Sequence, residues 1–284
     1  MNYELLTMIG IGTEAWKGAK QRINEKGGQV LTIFPSQDFA KTIKDEGVEG
    51  INVFDHVIKR TYDLTRFMFF NQAPVPARSE IFMNTDFSIS IIHEGDEIAV
   101  MERFPNTRRY VKNIQYLHSN GEKDFVEEYT IDGQLFSEIF YFNNKPQEIH
   151  FYNEKRIPVI SYYFYEEQLL YLTLNDETTG ELITEYTSLD QFISEQVSKL
   201  VTPEDTVTVS YMGMEMTALA KTKSHNILHL IQSPFDEKGE VRGTLLHILN
   251  DTVSYIHEVE MSLEDKQALI EKGIAVSKVT VVEN

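Results

Sequence analysis

The sequence contains no cysteine among its 284 residues and few basic side chains. Without cysteine, disulfide bonds, thiolate metal sites and a cysteine nucleophile are excluded. The 26 Lys and Arg residues stand against 44 Asp and Glu residues, which gives a formal net charge of −18. Affinity for phosphate backbones and anionic lipids comes largely from Lys and Arg. Nucleic acid is therefore not expected as a partner.

The sequence also lacks an apolar run long enough to cross a bilayer. Its N-terminus lacks the basic region and apolar stretch of a secretion signal. The absence of cysteine is compatible with a bacterial cytoplasm. We therefore expect a cytoplasmic globular protein, and 284 residues of which 42% are hydrophobic suffice for one large or two ordinary domains.

One cluster of basic residues departs from the acidic composition, at Arg103, Arg108, Arg109 and Lys112. A cluster of this kind binds nucleic acid if its side chains converge on one patch. Charge clusters on strands are more often simply solvated. We interpret this one as a solvated strand end.

The first segment alternates short apolar runs with helical periodicity. Residues 3–9 and 29–34 are predicted strands, and residues 48–53 a third. A helix is predicted over residues 14–26, ended by Gly27, and a second over residues 37–46. This is the rhythm of half a doubly wound parallel sheet.

The stretch 69–81 marks a change of architecture, because Pro74 and Pro76 enforce an extended chain. From residue 80 to about residue 186 the hydrophobic period falls to two. Turn pairs recur every ten to twelve residues, among them Asn120-Gly121 and Asp132-Gly133. This spacing predicts an antiparallel up-and-down meander with aromatic-rich strands.

From residue 189 the α/β rhythm returns, with predicted helices at 189–200, 214–221, 241–250 and 263–272. Predicted strands alternate with them at 206–211, 226–231, 253–259 and 278–282. Neither flank has enough strands for a typical doubly wound domain, so we predict that both build one Rossmann-like sheet of six or seven strands. The fold class is α/β, with residues 1–78 and 188–284 forming this domain and residues 79–187 an inserted antiparallel β-meander domain.

Few motifs point to catalysis. Gly10-Ile11-Gly12 before a helix is typical of a phosphate cradle, but no acidic residue closes the second strand, and a tight strand-to-helix turn explains it equally. His225 and His229 are interpreted as ordinary polar residues of a strand, and His247 as a core-edge residue. His257 is predicted at the C-terminal end of a strand, where α/β ligand sites form, but no motif places a Ser or Asp partner beside it, and no catalytic role is assigned. Adjacent carboxylates such as Glu127-Glu128 face opposite sides of a strand and do not form a glycosidase pair. No catalytic residue, metal site or cofactor is predicted.

Three groups of residues carry a resemblance to a known family: 70–76 with Glu80 and Ile81 after it, 108–117 with Asn120-Gly121 after it, and the spacing of Tyr129, Gly133 and Phe136. They resemble the GT-B-like glycosyltransferase subunits of the accessory Sec pathway of Gram-positive bacteria. The similarity is greatest to the stabilising, chaperone-like B subunit of the O-GlcNAc transferase that glycosylates serine-rich adhesins. It covers roughly residues 50–195, and the flanks only as an α/β pattern.

The resemblance implies a fold that is the N-terminal half of a GT-B protein with an inserted β-meander. It implies a subunit that transfers no sugar itself, pairs with a catalytic glycosyltransferase subunit and helps to hold a serine-rich repeat polypeptide. Peripheral association with the inner face of the membrane would come through that complex. The sequence ends about where a GT-B protein enters its nucleotide-sugar-binding domain, so we expect a part of a longer protein or a short, divergent member.

Two alternatives stay open. The chain is the acceptor-binding half of an active GT-B transferase, or it is a structural adaptor of the same export locus. Aromatic side chains often anchor interfaces, and strand ends of α/β sheets often bind ligands. The candidate residues for acceptor or partner binding are Gly12, Thr13, Asn71, Gln72, Tyr141, Tyr163 and Tyr165.

Overall fold

The computed structural model describes residues 1–105, 107 and 109–282, which divide into two compact units. The parallel-sheet unit contains Met1–Pro35, Ile43–Phe54 and the residues from Asp190 onward. The antiparallel-sheet unit contains Ser36–Thr42 and Asp55–Leu189. Residues 55–78 therefore group with the antiparallel sheet, although the sequence pattern predicts them in the Rossmann-like domain. The proposed boundaries at 78/79 and 187/188 otherwise stay predictions.

Helices and strands alternate from the start of the chain. They are β1 (Asn2–Leu6), α1 (Glu14–Lys26), β2 (Gln29–Thr32), α2 (Phe39–Glu46), β3 (Gly50–Asn52) and α3 (Val53–Ile58). The Thr13 side chain caps α1 by accepting the Trp16 N–H, and Gly27 ends it with a φ of 72°. Both are ordinary helix boundary signals, and the predicted helix has the observed bounds.

The middle of the chain is a ten-stranded antiparallel sheet in which every strand pairs with its sequence neighbours. Its strands are β4 (Glu80–Met83), β5 (Ile89–His93), β6 (Asp96–Arg103), β7 (Val111–Leu117), β8 (Lys123–Tyr129), β9 (Leu135–Phe142), β10 (Lys145–Tyr152), β11 (Pro158–Tyr165), β12 (Gln168–Asn175) and β13 (Leu182–Tyr186). Residues with positive φ form several of the connections, as at Gly95, Gly121, Gly133, Asn143 and Gly180. The up-and-down meander follows from these turns.

The remaining elements return to alternation. They are α4 (Leu189–Leu200), β14 (Thr206–Val209), α5 (Met214–Ala218), β15 (His225–His229), α6 (Gly243–Leu249), β16 (Glu258–Met261), α7 (Leu263–Glu271) and β17 (Val279–Val281). The prediction that a strand runs from Val253 to Val259 is wrong in its bounds. The Asn226 side chain donates to the Tyr255 carbonyl at 2.8 Å, which holds this apolar stretch in a loop before β16.

The parallel strands form a seven-stranded sheet in the order β17-β16-β15-β14-β1-β2-β3. The direction of travel reverses between β1 and β14, which pair with Leu5 beside Val209. In doubly wound sheets ligands bind beyond the carboxyl ends of the strands near this reversal. Among the described helices, none is both long and apolar enough to span a membrane.

Candidate interaction face of the antiparallel sheet

A row of aromatic rings crosses one face of the antiparallel sheet, with one ring on each strand from β7 to β12. We call it the aromatic row, and its members are Tyr116, Phe125, Phe140, His150, Tyr163 and Tyr171. Successive ring centroids lie 4.3, 6.0, 5.6, 6.1 and 4.6 Å apart. Phe140 is 36% exposed, and the other rings are half-buried. Ring contacts of this kind rigidify the face while leaving ring edges open to a partner.

A polar row runs beside the aromatic row on the same face, again with one residue per strand. Strand register aligns Glu127, Glu138, His150, Ser161, Thr173 and Glu185 from β8 to β13. Glu127, Glu138, Ser161 and Thr173 each lie two positions from a member of the aromatic row, and alternation therefore places them on the same side of the sheet. His150 belongs to both rows, and Glu185 lies directly opposite Thr173. The face therefore offers aromatic surface and hydrogen-bonding groups in parallel tracks.

Tyrosine hydroxyls orient the carboxylates at one end of the polar row. Tyr129 and Tyr116 both donate to Glu127, at 2.7 and 3.2 Å, and Tyr152 donates to Glu138. Burial raises the pKa of Glu127 above its ordinary value, and the neighbouring Glu138 adds to the effect. Burial and the Glu127 carboxylate likewise raise the pKa of Tyr129. These tyrosines therefore remain protonated donors at neutral pH.

A Glu–His–Ser hydrogen-bonded chain lies in the middle of the face. His150 Nδ1 lies 2.8 Å from Ser161 Oγ, and His150 Nε2 lies 3.0 Å from Glu148 Oε2. A nucleophilic serine must be reachable by substrate. Ser161 is only 1% exposed and stands in the middle of β11. These hydrogen bonds therefore fix the His150 imidazole in the aromatic row, and the three residues do not form a hydrolytic triad.

The proline-containing segment packs on the same face at β5 to β8. Its side chains Met68, Phe70, Ala73 and Val75 join a cluster with Ile89, Ile91, Ala99, Met101 and Ile114. The hydroxyl of Tyr116, the first ring of the aromatic row, also lies 3.2 Å from the Pro74 carbonyl oxygen, so its one proton is shared between this carbonyl and Glu127. The open aromatic row thus begins where the cover formed by this segment ends.

The predicted residues Asn71 and Gln72 lie in a short 3₁₀ turn (Phe70–Gln72) of this segment, and both are exposed. Gln72 Oε1 accepts the Phe69 N–H at 3.0 Å. Gln72 therefore has a structural role in closing the turn. Asn71 stays a proposed contact residue.

The three predicted tyrosines lie in different places. Tyr163 belongs to the aromatic row. Tyr141 follows Phe140 on β9, so its side chain faces the opposite side of the sheet. Lys123 Nζ, at the start of β8, lies 5.2 Å from its ring centroid. Tyr165 is 66% exposed at the end of β11, beside the turn formed by Glu166 and Glu167. A role in binding remains a proposal for Tyr163 and Tyr165, whereas the position of Tyr141 separates it from the aromatic row.

Gly12 and Thr13 belong to the other unit, between β1 and α1. Gly12 has a φ of 88°, and a Cβ added there would meet no atom within 4 Å. Thr13 Oγ1 donates to the Gly10 carbonyl at 2.7 Å and accepts the Trp16 N–H at 3.2 Å. These contacts are those of a strand-to-helix turn. A binding role for this pair also stays a proposal.

The basic cluster and the histidines have local partners. The guanidinium of Arg109 lies 5.7 Å from the Phe69 ring centroid, and Arg108 lies outside the described residues. His225 and His229 pair with Glu258 and Glu260 on neighbouring β16, at 3.2 and 2.8 Å. Within the described part of the chain, no group of three His, Asp or Glu side chains is placed to hold a metal ion.

His257 accepts the Asn226 N–H through Nδ1 at 3.1 Å and stacks on His225, with ring centroids 5.4 Å apart. Burial lowers the pKa of His257, and His225 and Lys278 lower it further. An imidazole that accepts a backbone hydrogen bond is held neutral. The prediction that His257 lies at the C-terminal end of a strand is wrong, because it directly precedes β16. Its contacts give it a structural role at the start of that strand.

The sheet order and the inserted antiparallel sheet define the class: the chain has the fold of half a GT-B glycosyltransferase with an inserted β-meander domain, as the sequence predicts. Over its whole length it is similar to a chain of the Glycosylation Associate Protein (Gap123) complex from Streptococcus agalactiae, with a TM-score of 0.77 and 15% sequence identity. A chain of accessory secretory protein 1, 2 and 3 in Streptococcus pneumoniae matches it equally, with a TM-score of 0.77 and 13% identity over 100% of this chain.

A chain of the GtfA/B complex bound to UDP and GlcNAc matches 99% of this chain, with a TM-score of 0.70 and 16% identity. The chain spans 60%, 62% and 61% of the lengths of these three structures. They come from the accessory secretory and glycosyltransferase complexes to which the sequence resemblance points. No protein-family model and no curated protein matches the sequence. At these identities the likeness establishes the fold.

Proposed function

We propose that the chain is a non-catalytic subunit that binds a glycosyltransferase and helps to hold its serine-rich polypeptide acceptor. The observation that carries the proposal is the open aromatic row beside the polar row on the antiparallel sheet. Proteins rarely leave contiguous aromatic surface open without a binding role. Tyr163 of this row and Asn71 beside it are the proposed contact residues, with Tyr165 at the sheet margin.

The chemistry of the face fits a hydroxyl-rich, extended polypeptide. Successive strands of a sheet lie about 4.8 Å apart, so the row from β7 to β12 is about 24 Å long and matches roughly seven extended residues. Carboxylates accept the hydroxyl protons of serine and threonine, and Glu138, Glu148 and Glu185 line the face. Ring edges and aliphatic contacts add affinity without reading a defined sequence.

The partner is proposed from the structural neighbours. Two of them are chains of a Gap123 complex and of a GtfA/B complex, so each comes from an assembly of several proteins. A fold shared with such subunits supports a role in association with a glycosyltransferase. The same proposal places the chain in the cytoplasm, or at the inner face of the membrane through its complex, and cell fractionation tests that location.

The test compares neighbouring residues on opposite faces of one strand. Phe140 lies in the aromatic row, and Tyr141 faces the other side, so Tyr141→Ala is a matched control for Phe140→Ala. We expect Phe140→Ala combined with Tyr163→Ala to weaken capture of a synthetic serine-rich polypeptide by about tenfold or more, as loss of central aromatic anchors does. Tyr141→Ala leaves capture unchanged. Equal losses in both proteins, or none in either, would contradict the proposal.

The glycosyltransferase partner is tested separately, by co-purification of the tagged chain with a candidate catalytic subunit and a UDP-GlcNAc turnover assay. Turnover only in the presence of that subunit, and raised by this chain, supports the auxiliary role. Co-purification without capture of the polypeptide favours a structural adaptor. A chain that never associates with a transferase would overturn the proposal.

A second candidate function is the acceptor-binding half of an active transferase. The observation in its favour is that the chain spans 61% of a chain from a complex bound to UDP and GlcNAc. In this case Gly12 and Thr13, at the carboxyl end of β1, would line the acceptor site. Sugar transfer that is lost when Gly12 is replaced by valine, with the aromatic row intact, would favour this function.

A further inference from the structure

The turn between β7 and β8 contains the sequence's single Asn-Gly step, at Asn120 and Gly121. Both residues are exposed. Gly121 has a φ of 84°, and a Cβ added there would meet no atom within 4 Å. Because glycine has no Cβ, no side chain shields the Gly121 backbone nitrogen from the Asn120 side chain.

The Asn120 side chain is folded back onto this turn. Its Oδ1 accepts the Glu122 N–H at 3.0 Å, and its Nδ2 donates to Glu122 Oε2 at 2.9 Å. A hydrogen bond from an asparagine oxygen to the backbone two residues on is typical of an Asx turn. This conformation holds the side-chain amide beside the Gly121 nitrogen, which favours an intramolecular reaction between them. The Glu122 N–H would stabilise negative charge that develops on Oδ1.

We propose that Asn120 is a site of spontaneous deamidation, with water as the second reactant. The Gly121 nitrogen adds to Asn120 Cγ, and a C–N bond forms. The Cγ–Nδ2 bond breaks, and the departing group takes the proton of the Gly121 nitrogen and leaves as ammonia. The resulting five-membered succinimide is opened by water. Attack at one ring carbonyl gives aspartate, and attack at the other gives isoaspartate.

One contact of the folded protein slows this reaction. The Gly121 N–H donates to the His118 carbonyl at 2.8 Å, and this hydrogen bond must break before the nitrogen can attack. The net free energy of one such bond corresponds to a factor of about ten in rate. We therefore expect Asn120 in the folded protein to react no more than about tenfold more slowly than in a free peptide.

The Asp132-Gly133 turn shows how the same chemistry is blocked elsewhere in the sheet. Asp132 can form the same succinimide, but it is only 4% exposed. Its Oδ1 accepts the Thr130 hydroxyl at 2.5 Å, and its Oδ2 accepts the Asp63 N–H at 3.1 Å and the Gln134 amide at 2.8 Å. These bonds fix the carboxylate in place. Exposure therefore distinguishes the Asn120 turn from this one.

Deamidation changes the turn that joins the first two rings of the aromatic row. The Asn120 nitrogen that donates to Glu122 is replaced by a carboxylate oxygen, so an attractive contact becomes a repulsion between like charges. Isoaspartate also adds a methylene group to the backbone between β7 and β8. Tyr116 and Phe125, whose centroids lie 4.3 Å apart, stand on these two strands. The chemical step does not depend on the proposed function.

The test is tryptic peptide mapping by mass spectrometry of the whole chain, incubated at about pH 8 because the attacking nitrogen must lose its proton. A synthetic peptide of residues 113–123, which is also the tryptic fragment, is followed in parallel. We expect conversion of Asn120 to aspartate and isoaspartate within about tenfold of the peptide rate, and none at Asn113 over the same time. Slower conversion of Asn120, or conversion of Asn113 at the same rate, would overturn the inference.

Two glycine variants locate the reacting nitrogen. Gly121→Ala places a Cβ beside it and is expected to slow the conversion of Asn120 by about tenfold or more. Gly95→Ala is the matched control, because Gly95 also has a positive φ, 96°, and open space at its Cβ position, but follows Glu94. Equal rates of Asn120 conversion in the two variants would refute the proposed chemistry.

The effect on the turn is tested with Asn120→Asp, which introduces the carboxylate directly. The His118 N–H donates to the Glu122 carbonyl at 2.8 Å across the turn. We expect its amide hydrogen to exchange faster with solvent in Asn120→Asp than in the original protein, because the like charges loosen the turn. Unchanged exchange at His118 would overturn this consequence of the modification.

Discussion

The two sheets of this protein differ in whether their polar and aromatic side chains find partners within the protein. In the parallel sheet, buried charges are paired within the unit: Arg22 donates to both oxygens of Glu4, at 2.8 Å each, and His229 Nδ1 lies 2.8 Å from Glu260. The antiparallel sheet keeps a row of half-buried rings on one face, with Phe140 36% exposed. In the parallel sheet the buried charges have their partners within the unit. In the antiparallel sheet the aromatic surface stays open to a partner molecule.

The difference follows from connectivity. Parallel strands need helical crossovers, which cover the sheet faces, whereas a meander connects its strands by short turns that cover nothing. In the antiparallel sheet the segment around Phe70, Ala73 and Val75 covers the face at β5 to β8. The strands beyond it depend on another molecule or on water to cover their aromatic residues.

The largest expected effect contrasts a buried leucine of one sheet with an exposed leucine of the other. Leu5 in β1 is 0% exposed, and Leu170 in β12 is 59% exposed. Leu5→Ala should lower the free energy of unfolding by about 3 kcal/mol because it leaves a cavity in the central strand. Leu170→Ala should change it by less than about 0.5 kcal/mol. Urea titration followed by the fluorescence of the single tryptophan, Trp16, measures the first, and far-UV circular dichroism the second. Equal losses of unfolding free energy in the two variants would contradict this difference between the sheets.

The second prediction compares two glycines of the antiparallel sheet. Gly133 and Gly121 have φ of 82° and 84°, but a Cβ on Gly133 would lie 2.8 Å from Met68 N, while one on Gly121 would meet nothing within 4 Å. Gly121→Ala should cost only the backbone strain, about 1 kcal/mol. Gly133→Ala should cost at least about 2 kcal/mol because the segment at Met68 must also move. Thermal unfolding of both variants checks this, and similar losses would show that this segment is loosely held.

The third prediction concerns pH and the parallel-sheet unit. Glu46 accepts Lys20 Nζ at 2.9 Å and Trp16 Nε1 at 2.8 Å. These bonds, that to Lys20 first, lower the pKa of Glu46 below its ordinary value. Its stabilising contribution is therefore present above about pH 4.5 and is lost as the pH falls through the lowered pKa.

Glu46→Gln should accordingly reduce stability by about 0.5 kcal/mol at pH 7, a value kept small because solvent reaches this pair. Near pH 3 the variant and the original protein should unfold at the same urea concentration. Trp16 fluorescence reports the transition. A difference that persists unchanged at low pH would show that the carboxylate charge does not matter here.

The last prediction is of similar size and has the opposite sign. Glu166 and Glu167 form the turn between β11 and β12 with φ of 48° and 67°, which is unfavourable for residues with a side chain. Glu167→Gly should raise the free energy of unfolding by about 0.5 kcal/mol, since relief of strain is partly offset by a more flexible unfolded chain. Differential scanning calorimetry detects the shift, and a lower melting temperature would contradict it.

The sequence predicts the elements well wherever a local signal fixes them. The bounds of α1 follow from the Thr13 cap and Gly27, and the meander follows from its turn pairs. The predicted bounds of β16 are wrong because the residues around Tyr255 and Ile256 have the composition of a strand. A distant side chain, Asn226, holds them in a loop. Such a contact leaves no trace in the local pattern.

The aromatic row shows what sequence reasoning cannot supply. The sequence marks Tyr163 and Tyr141 as candidates from their type and strand, but which side each faces depends on register. Register shifts occur in the pairing of β9 with β10 and of β11 with β12. The contribution of His150 was missed, because an isolated histidine on a strand has no motif, and only cross-strand alignment with Ser161 and Glu138 reveals it.

The central claim is that the aromatic row is a binding surface, and oxidative footprinting tests it most directly. Hydroxyl radicals oxidise exposed aromatic side chains, and mass spectrometry reads each of them before and after addition of a serine-rich polypeptide together with the catalytic subunit. The account predicts that Phe140, Tyr163 and Tyr171 become protected, while Tyr141 and the 58% exposed Phe82, on the opposite face, do not. Unchanged oxidation of the row, or protection confined to Tyr141 and Phe82, would contradict it.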